Sequence, residues 1–366
     1  MKNTETRKKV LVIGATRNQG FRVVRHCAAA DIEVYALSRD LTSAEAQKLQ
    51  IPPRDARRGR EQLEDETGYD SSCRHLKYGI VHLVQGDLND TGSLMRASQG
   101  MDAILFFTMP RDARIEQQQT QNVLEAARAS GSVSMVIYSS AAGTDRCDSF
   151  PRRGTWNPME QYWLGKQGNE ALVRQLSDET PFKNKIDWVI VRPTIFLQCF
   201  VPPISNYLFP HLFAGGQPSL RVAYRPETRL ELIDARDVGL VVAATIMRPT
   251  DWAGKAVSLV VDRLTIQEIA DTISDVHSEE TGQGPLAGRA ERVKVDVEYV
   301  DSEVLQAEIR ELAAYSQRLI NEIEHLISPC EKRDEMLENI PLTSVKSFFL
   351  MNSSSGNGTG IENDAK

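Results

Sequence analysis

What this 366-residue sequence lacks narrows what it can do. Cysteine is sparse: Cys27, Cys73, Cys147, Cys199 and Cys330 are odd in number and widely spaced, with no C-x-x-C pair. That spacing excludes a disulfide framework and a zinc finger. Reduced thiols are expected, in a cytoplasmic protein, with presence in the nucleus also compatible. The six histidines are scattered without ligand spacing, so no metal is expected. A basic excess is missing too: 43 Lys and Arg face 50 Asp and Glu, a net charge of -7. Direct, sequence-independent capture of nucleic acid is therefore not expected. No apolar run is long enough to span a bilayer, and "MKNTETRKKVLVIGA" lacks the long apolar core of a secretory signal.

What is present reads as an ordinary globular chain, 41% hydrophobic and 25% charged. Short Val- and Ile-rich runs recur at Val10 to Ile13, Glu33 to Leu37, Ile80 to Val84, Ala103 to Thr108, Ser134 to Ser139 and Asp187 to Arg192. Segments of helical periodicity separate them, which predicts an α/β fold with a doubly wound parallel sheet. Runs such as "VLVI" and "WVIV" suit strands covered on both faces. Residues 8–192 are expected to form a dinucleotide-binding Rossmann domain, interrupted by a polar insertion at 50–79. Residues 193–350 are expected to supply a smaller α/β substrate lobe woven into the first domain, and 352–366 a disordered tail.

Within the lobe, "SLRVAYRPETRLELID" alternates like a hairpin and "ARDVGLVVAATIM" reads as a helix. Asp234 and Asp237, at the head of that helix, are expected to cap it and tie lobe to domain. Leu305, Ile309, Leu312, Leu319, Ile323 and Leu326 recur at helical spacing as one apolar stripe. Packing onto the protein's own lobe is the first expectation for it, and a homodimer or partner helix the alternative.

The candidate chemistry begins at "GATRNQG", Gly14, Ala15, Thr16, Arg17, Asn18, Gln19 and Gly20, between the first strand and an apolar helix. A helix N-terminus in that setting offers free amides to a pyrophosphate. After the second strand, Ser38 and Arg39 offer a hydroxyl and a permanently charged fork for the extra phosphate of NADP(H); Asp40 argues the other way, as a partner for ribose hydroxyls. Arg17 either adds a second guanidinium to that phosphate or points to water. Asp87 in "VQGDL", beside Leu88, could accept from an adenine amino group, and Thr108, Met109 and Pro110 could lie along the adenosine ribose.

Tyr162 and Lys166, four residues apart on the helix after the fifth strand, share one face. A lysine there can hold the nicotinamide ribose and lower the phenol from its reference value near 10, making Tyr162 a proton donor. Ser139 or Ser140, at the strand end, can polarise a carbonyl. Phe196, Phe200, Tyr207 and Phe213 are either pocket walls for an apolar substrate or plain core.

Taken in order, "VLVIGATRNQG", "YALSRD", "VQGDLND", the helix with Lys166, "WVIVRPTIFLQ" and "LELIDARDVGLVVAATI" resemble the NmrA-like family of atypical short-chain dehydrogenase/reductases over residues 8 to about 280. The resemblance implies a Rossmann fold that binds NADP(H). Some members reduce small molecules; others are redox sensors that influence transcription factors. It also implies that Phe196, Leu197, Gln198 and Cys199 lie near the nicotinamide, Cys199 standing where asparagine is usual. Arg17 replaces a common loop glycine, whereas Tyr162, absent from many sensor-like members, is present. The expected function is NADP(H)-dependent reduction or oxidation of a small, apolar or aromatic metabolite. The alternative is an NADP(H) sensor that binds a protein partner without turnover.

Overall fold

The computed structural model describes residues 7–50, 79–110, 112–151, 158–177, 185–279, 294–327 and 335–353. The expected insertion and tail lie almost wholly outside the described residues. Of the tail, Asn352 and Ser353 belong to the last helix.

Seven strands make one parallel sheet: β1 (Lys9–Ile13), β2 (Glu33–Ser38), β3 (Val81–Gln85), β4 (Ala103–Phe106), β5 (Met135–Ser139), β6 (Asp187–Pro193) and β10 (Lys255–Leu259). Their order is β10-β6-β5-β4-β1-β2-β3, so the chain starts in the middle and winds outward both ways, a Rossmann-like arrangement. The cause is visible in β1. Val10 and Val12 enter the core on one face, Leu11 and Ile13 the core on the other. Strand alternation with both sets apolar demands cover on both sides.

The cover comes from α1 (Asn18–Ala29) on one face, and from α3 (Thr91–Ala97), α4 (Ala113–Ser130) and α5 (Pro158–Arg174) on the other. Against α1 packs α6 (Ala235–Met247), close enough that a Cβ on Gly239 would stand 2.7 Å from Nδ1 of His26. So α6 and β10, both after residue 192, complete the Rossmann layers rather than the lobe.

The smaller lobe holds a three-stranded sheet, β7 (Ile195–Phe196), β9 (Arg229–Ile233) and β11 (Asp262–Thr265), and a parallel pair, β8 (Ser219–Val222) with β12 (Asp296–Tyr299). The expected hairpin is therefore wrong: β8 and β9 lie in different sheets. Between them the turn is claimed by Asn321, whose Oδ1 accepts from Arg225 N and the Thr228 hydroxyl, and whose Nδ2 donates to Ala223 O. Alternation shows which face is buried, not which strand lies alongside.

The predicted stripe is broken in two. One short turn covers Ser302–Leu305 and α8 covers Glu311–Ile323, with extended backbone at Arg310. Leu305, Ile309, Leu319 and Ile323 are buried in the protein's own cores, whereas Leu312 is exposed. The last helix, α9 (Val345–Ser353), packs on α7 (Ile266–Glu279). No helix among the described residues is long and apolar enough to cross a membrane.

Candidate functional site

The loop between β1 and α1 is shaped by two glycines. Gly14 has φ +87, and a side chain there would also press on the Phe107 ring. A Cβ on Gly20 would collide with the Gly14 carbonyl, so only glycine lets the helix start so close to the strand. Arg17 needs no such licence: it is the N-cap of α1 with extended backbone, φ -86 and ψ 162. Its amide donates to Gly14 O and its carbonyl accepts from Phe21 N, so the turn closes without a glycine at 17.

No side chain caps α1, and its first turn holds no acid, whereas Asp90, Asp112 and Asp234 each cap their own helices. The residues thus fit an anion at this helix start, which the bound pyrophosphate of a dinucleotide would supply.

At the end of β2, Arg39 and Asp40 stand side by side at the surface. The Asp40 carboxylate accepts from the amide and hydroxyl of Thr42, which hold it below the ordinary carboxylate value. Ser38 turns its hydroxyl to Asp40 O, and Arg39 is exposed. Asp87 Oδ1 accepts from the backbone and side chain of Asn89, and Leu88 O accepts from Asn122. Met109 and Pro110 are exposed beyond β4.

Thr108 is buried and leads to the densest polar cluster near the site. Lys166 Nζ donates to Thr108 O (3.0 Å), Thr108 Oγ1 (3.3 Å) and Glu116 Oε2 (3.2 Å). The Thr108 hydroxyl donates to the same Glu116 oxygen, and Asn169 Nδ2 donates to Thr108 and to Tyr138 OH. Tyr162 lies on the same helical face, with the ammonium 5.6 Å from its ring centre. Burial alone would push Lys166 down, yet the Tyr138 and Tyr162 phenols and the Glu116 carboxylate hold it above the ordinary lysine value. Tyr162 departs from expectation: burial raises its phenol, and Lys166 only partly offsets that. Glu116 and Asn169 were not foreseen. A lone Glu in a first helical turn reads as a surface residue favoured by the dipole.

Ser139 is buried at the end of β5, and its hydroxyl accepts from Gln19 Nε2 at 2.6 Å. Ser140 instead faces the Thr144 hydroxyl at 3.4 Å. The segment after β6 turns inward. Leu197 is core, Gln198 donates to Asp234 Oδ1 and accepts from Ala235 N, and burial pushes Cys199 up to about 12. Phe196 packs on the Rossmann core, Phe200 stacks on Phe209, Phe213 joins the lobe core and Tyr207 is exposed. These four aromatics are dispersed, and Phe200 and Phe213 are accounted for as core. An open cleft of about 680 Å³ lies in the lobe, lined by residues including Tyr224, Arg225, Tyr299 and Arg318, with none of the expected site residues on its walls.

The sequence profile of the NmrA-like family matches residues 6–336. No curated protein sequence matches significantly. The fold is similar to that of NmrA, a negative transcriptional regulator, in complex with NADP (TM-score 0.63, 18% identity, covering 96% of this chain and 98% of that one). It is also similar to a Citrobacter sp. triphenylmethane reductase complexed with NADP(H) (TM-score 0.61, 19% identity, 94% and 99% covered). An NADPH-dependent quinone oxidoreductase from Escherichia coli, complexed with NADPH, is similar too (TM-score 0.61, 16% identity, 93% and 98% covered). At these identities the likeness is one of fold.

Proposed function

Because the chain belongs to the NmrA-like family, we propose that it binds NADP(H) and reduces a small apolar or aromatic molecule. The observation that carries this reading is the Gln19–Ser139 hydrogen bond, which joins the phosphate loop directly to the strand end beside the Tyr162 helix. The uncapped start of α1 would hold the pyrophosphate, Arg39 and Arg17 the extra phosphate, and Lys166 the nicotinamide ribose. When bound, the cofactor supplies a hydride.

The chain's own residues do the rest. With one lone pair of Ser139 taken by Gln19, its hydroxyl proton is free to orient a substrate oxygen. Tyr162, whose phenol burial raises, is the group that would donate a proton to the substrate oxygen. It packs in an apolar cluster with Phe150, Trp163, Tyr315 and Leu319, surroundings that suit an apolar substrate. The sparse, widely spaced cysteines of the sequence suit a reducing, cytoplasmic setting.

The second reading, a sensor that binds NADP(H) without turnover, draws support from Lys166: all three of its N–H directions meet protein acceptors. A titration with NADPH and NADH, followed by turnover of quinone and carbonyl acceptors in wild type and Tyr162→Phe, separates the two. Turnover lost with binding kept supports the reductase. A nucleotide-dependent partner complex indifferent to Tyr162 supports the sensor, and failure of both nucleotides to bind rejects both.

A further inference from the structure

Glu116 belongs to the first turn of α4, where a carboxylate is usually solvated, yet it is fully buried. Its partner Lys166 is only 4% exposed. A buried ion pair is seldom more stable than a well-packed apolar pair, so stability does not explain why charge is placed here. The fold also makes room for it. A Cβ on Gly165 would stand 2.8 Å from Glu116 Oε1 and 3.1 Å from Cδ, so α5 carries no side chain at the one place where the carboxylate passes to reach Lys166.

The groups facing Lys166 are few. Tyr162 comes from its own helix, Tyr138 from β5 and Glu116 from α4, with the neutral Thr108 and Asn169 beside them. Glu170, one turn along, is engaged by Nε and Nη2 of Arg192. Among these described residues Glu116 is the carboxylate in contact with Lys166, at 3.2 Å.

We propose that Glu116 is the positioning residue for Lys166: its carboxylate, enclosed between α4 and α5, keeps the ammonium charged and aimed at the end of β4. The assignment deepens the reading of Lys166 given above and rests on it. Thr108 is the bridge, since its hydroxyl donates to Glu116 while both its oxygens accept from Lys166. Without the carboxylate, Lys166 would be a buried amine left with the Tyr138 and Tyr162 phenols alone to oppose burial, which lowers its hold on the proton.

The test reads Lys166 itself. In protein labelled with ¹³C-lysine, its Cε resonance, assigned by its loss in Lys166→Met, is followed against pH without nucleotide. Wild type stays charged to pH 10. Glu116→Gln lowers the apparent pKa by about two units or more, Glu116→Asp restores most of it, and Gly165→Ala, which displaces the carboxylate without removing its charge, gives a smaller drop. NADPH titration runs alongside: affinity is flat with pH in wild type and falls above the lowered pKa in Glu116→Gln. An unchanged Lys166 titration in Glu116→Gln overturns the assignment. If Glu116→Gln does not fold, the double variant with Lys166→Met recovers folding, and failure of the double variant also overturns it. NADPH binding absent from wild type at every pH rejects the cofactor reading alone, because the resonance needs no nucleotide.

Discussion

Gln19 and Ser139 stand 120 positions apart in the chain, yet the amide of the first donates to the hydroxyl of the second at 2.6 Å, both side chains buried. This bond ties the first turn of α1 to the end of β5 across the middle of the sheet. Gln19→Leu is expected to lower unfolding free energy by about 1–2 kcal/mol in urea denaturation, the cost of leaving a buried hydroxyl without its partner. Ser139→Ala in the Gln19→Leu background should then cost little more. Full additivity of the two would mean that the bond contributes nothing.

Arg17 presents a separable question. Its φ of -86 is one that any residue adopts, so replacing it with glycine relieves no strain. Arg17→Gly should lose roughly 0.5–1 kcal/mol of stability through added freedom in the unfolded chain. If the guanidinium lies on the extra phosphate, the preference for NADPH over NADH also falls, as it does in Arg39→Ala. Unchanged preference in Arg17→Gly alongside a loss in Arg39→Ala would leave Arg39 as the one phosphate ligand of the pair.

Much of this was legible in the residues, for reasons that differ by element. Strands such as β1 and β6 are continuous apolar runs because they are covered on both faces, and a run of that kind is hard to misread. Helix α6 begins at its Asp234 cap, as its sequence implies. The β8–β9 hairpin does not form because β8 pairs with β12 and β9 with β7 and β11, partners chosen by packing that alternation does not encode. The bond from the Gln198 amide to Asp234, 36 positions along, is likewise invisible in the sequence. Glu116 escaped notice because burial of one charge depends on the opposing helix. The signal available was Gly165 and Gly168 flanking Lys166, since both positions would press a Cβ into α4 side chains.

The two loop glycines should differ in how badly they tolerate a methyl group. On Gly20 it would meet the carbonyl of Gly14, which cannot yield without moving the loop. On Gly14 it would meet the Phe107 ring, which is half-buried and able to turn, with the added strain of φ +87. Gly14→Ala is expected to cost about 1–2 kcal/mol, and Gly20→Ala more, with a lower melting temperature and loss of nucleotide binding. Equal melting temperatures for Gly20→Ala and wild type would contradict the close approach of α1 to β1.

Asp237 sets a pH dependence on the joint between α6 and the C-terminal segment. Its carboxylate accepts from the amide and hydroxyl of Thr343 and is fully buried. Burial and the neighbouring Asp234 charge push it from 3.8 to about 7, against the opposing pull of Thr343 and Arg236. Between those values the folded protein holds a proton that the unfolded chain has released. The stability this group contributes is therefore whole below about pH 4, declines as pH rises, and is gone above about pH 7. Asp237→Asn cannot ionise, so the variant should gain on wild type by on the order of 2–4 kcal/mol between pH 4 and pH 8. Other carboxylates tilt both curves alike, so the difference between paired urea unfolding curves isolates this residue. A difference that stays constant from pH 4 to pH 8 would mean that Asp237 is ionised in the fold throughout, held so by Arg236 and the two bonds from Thr343.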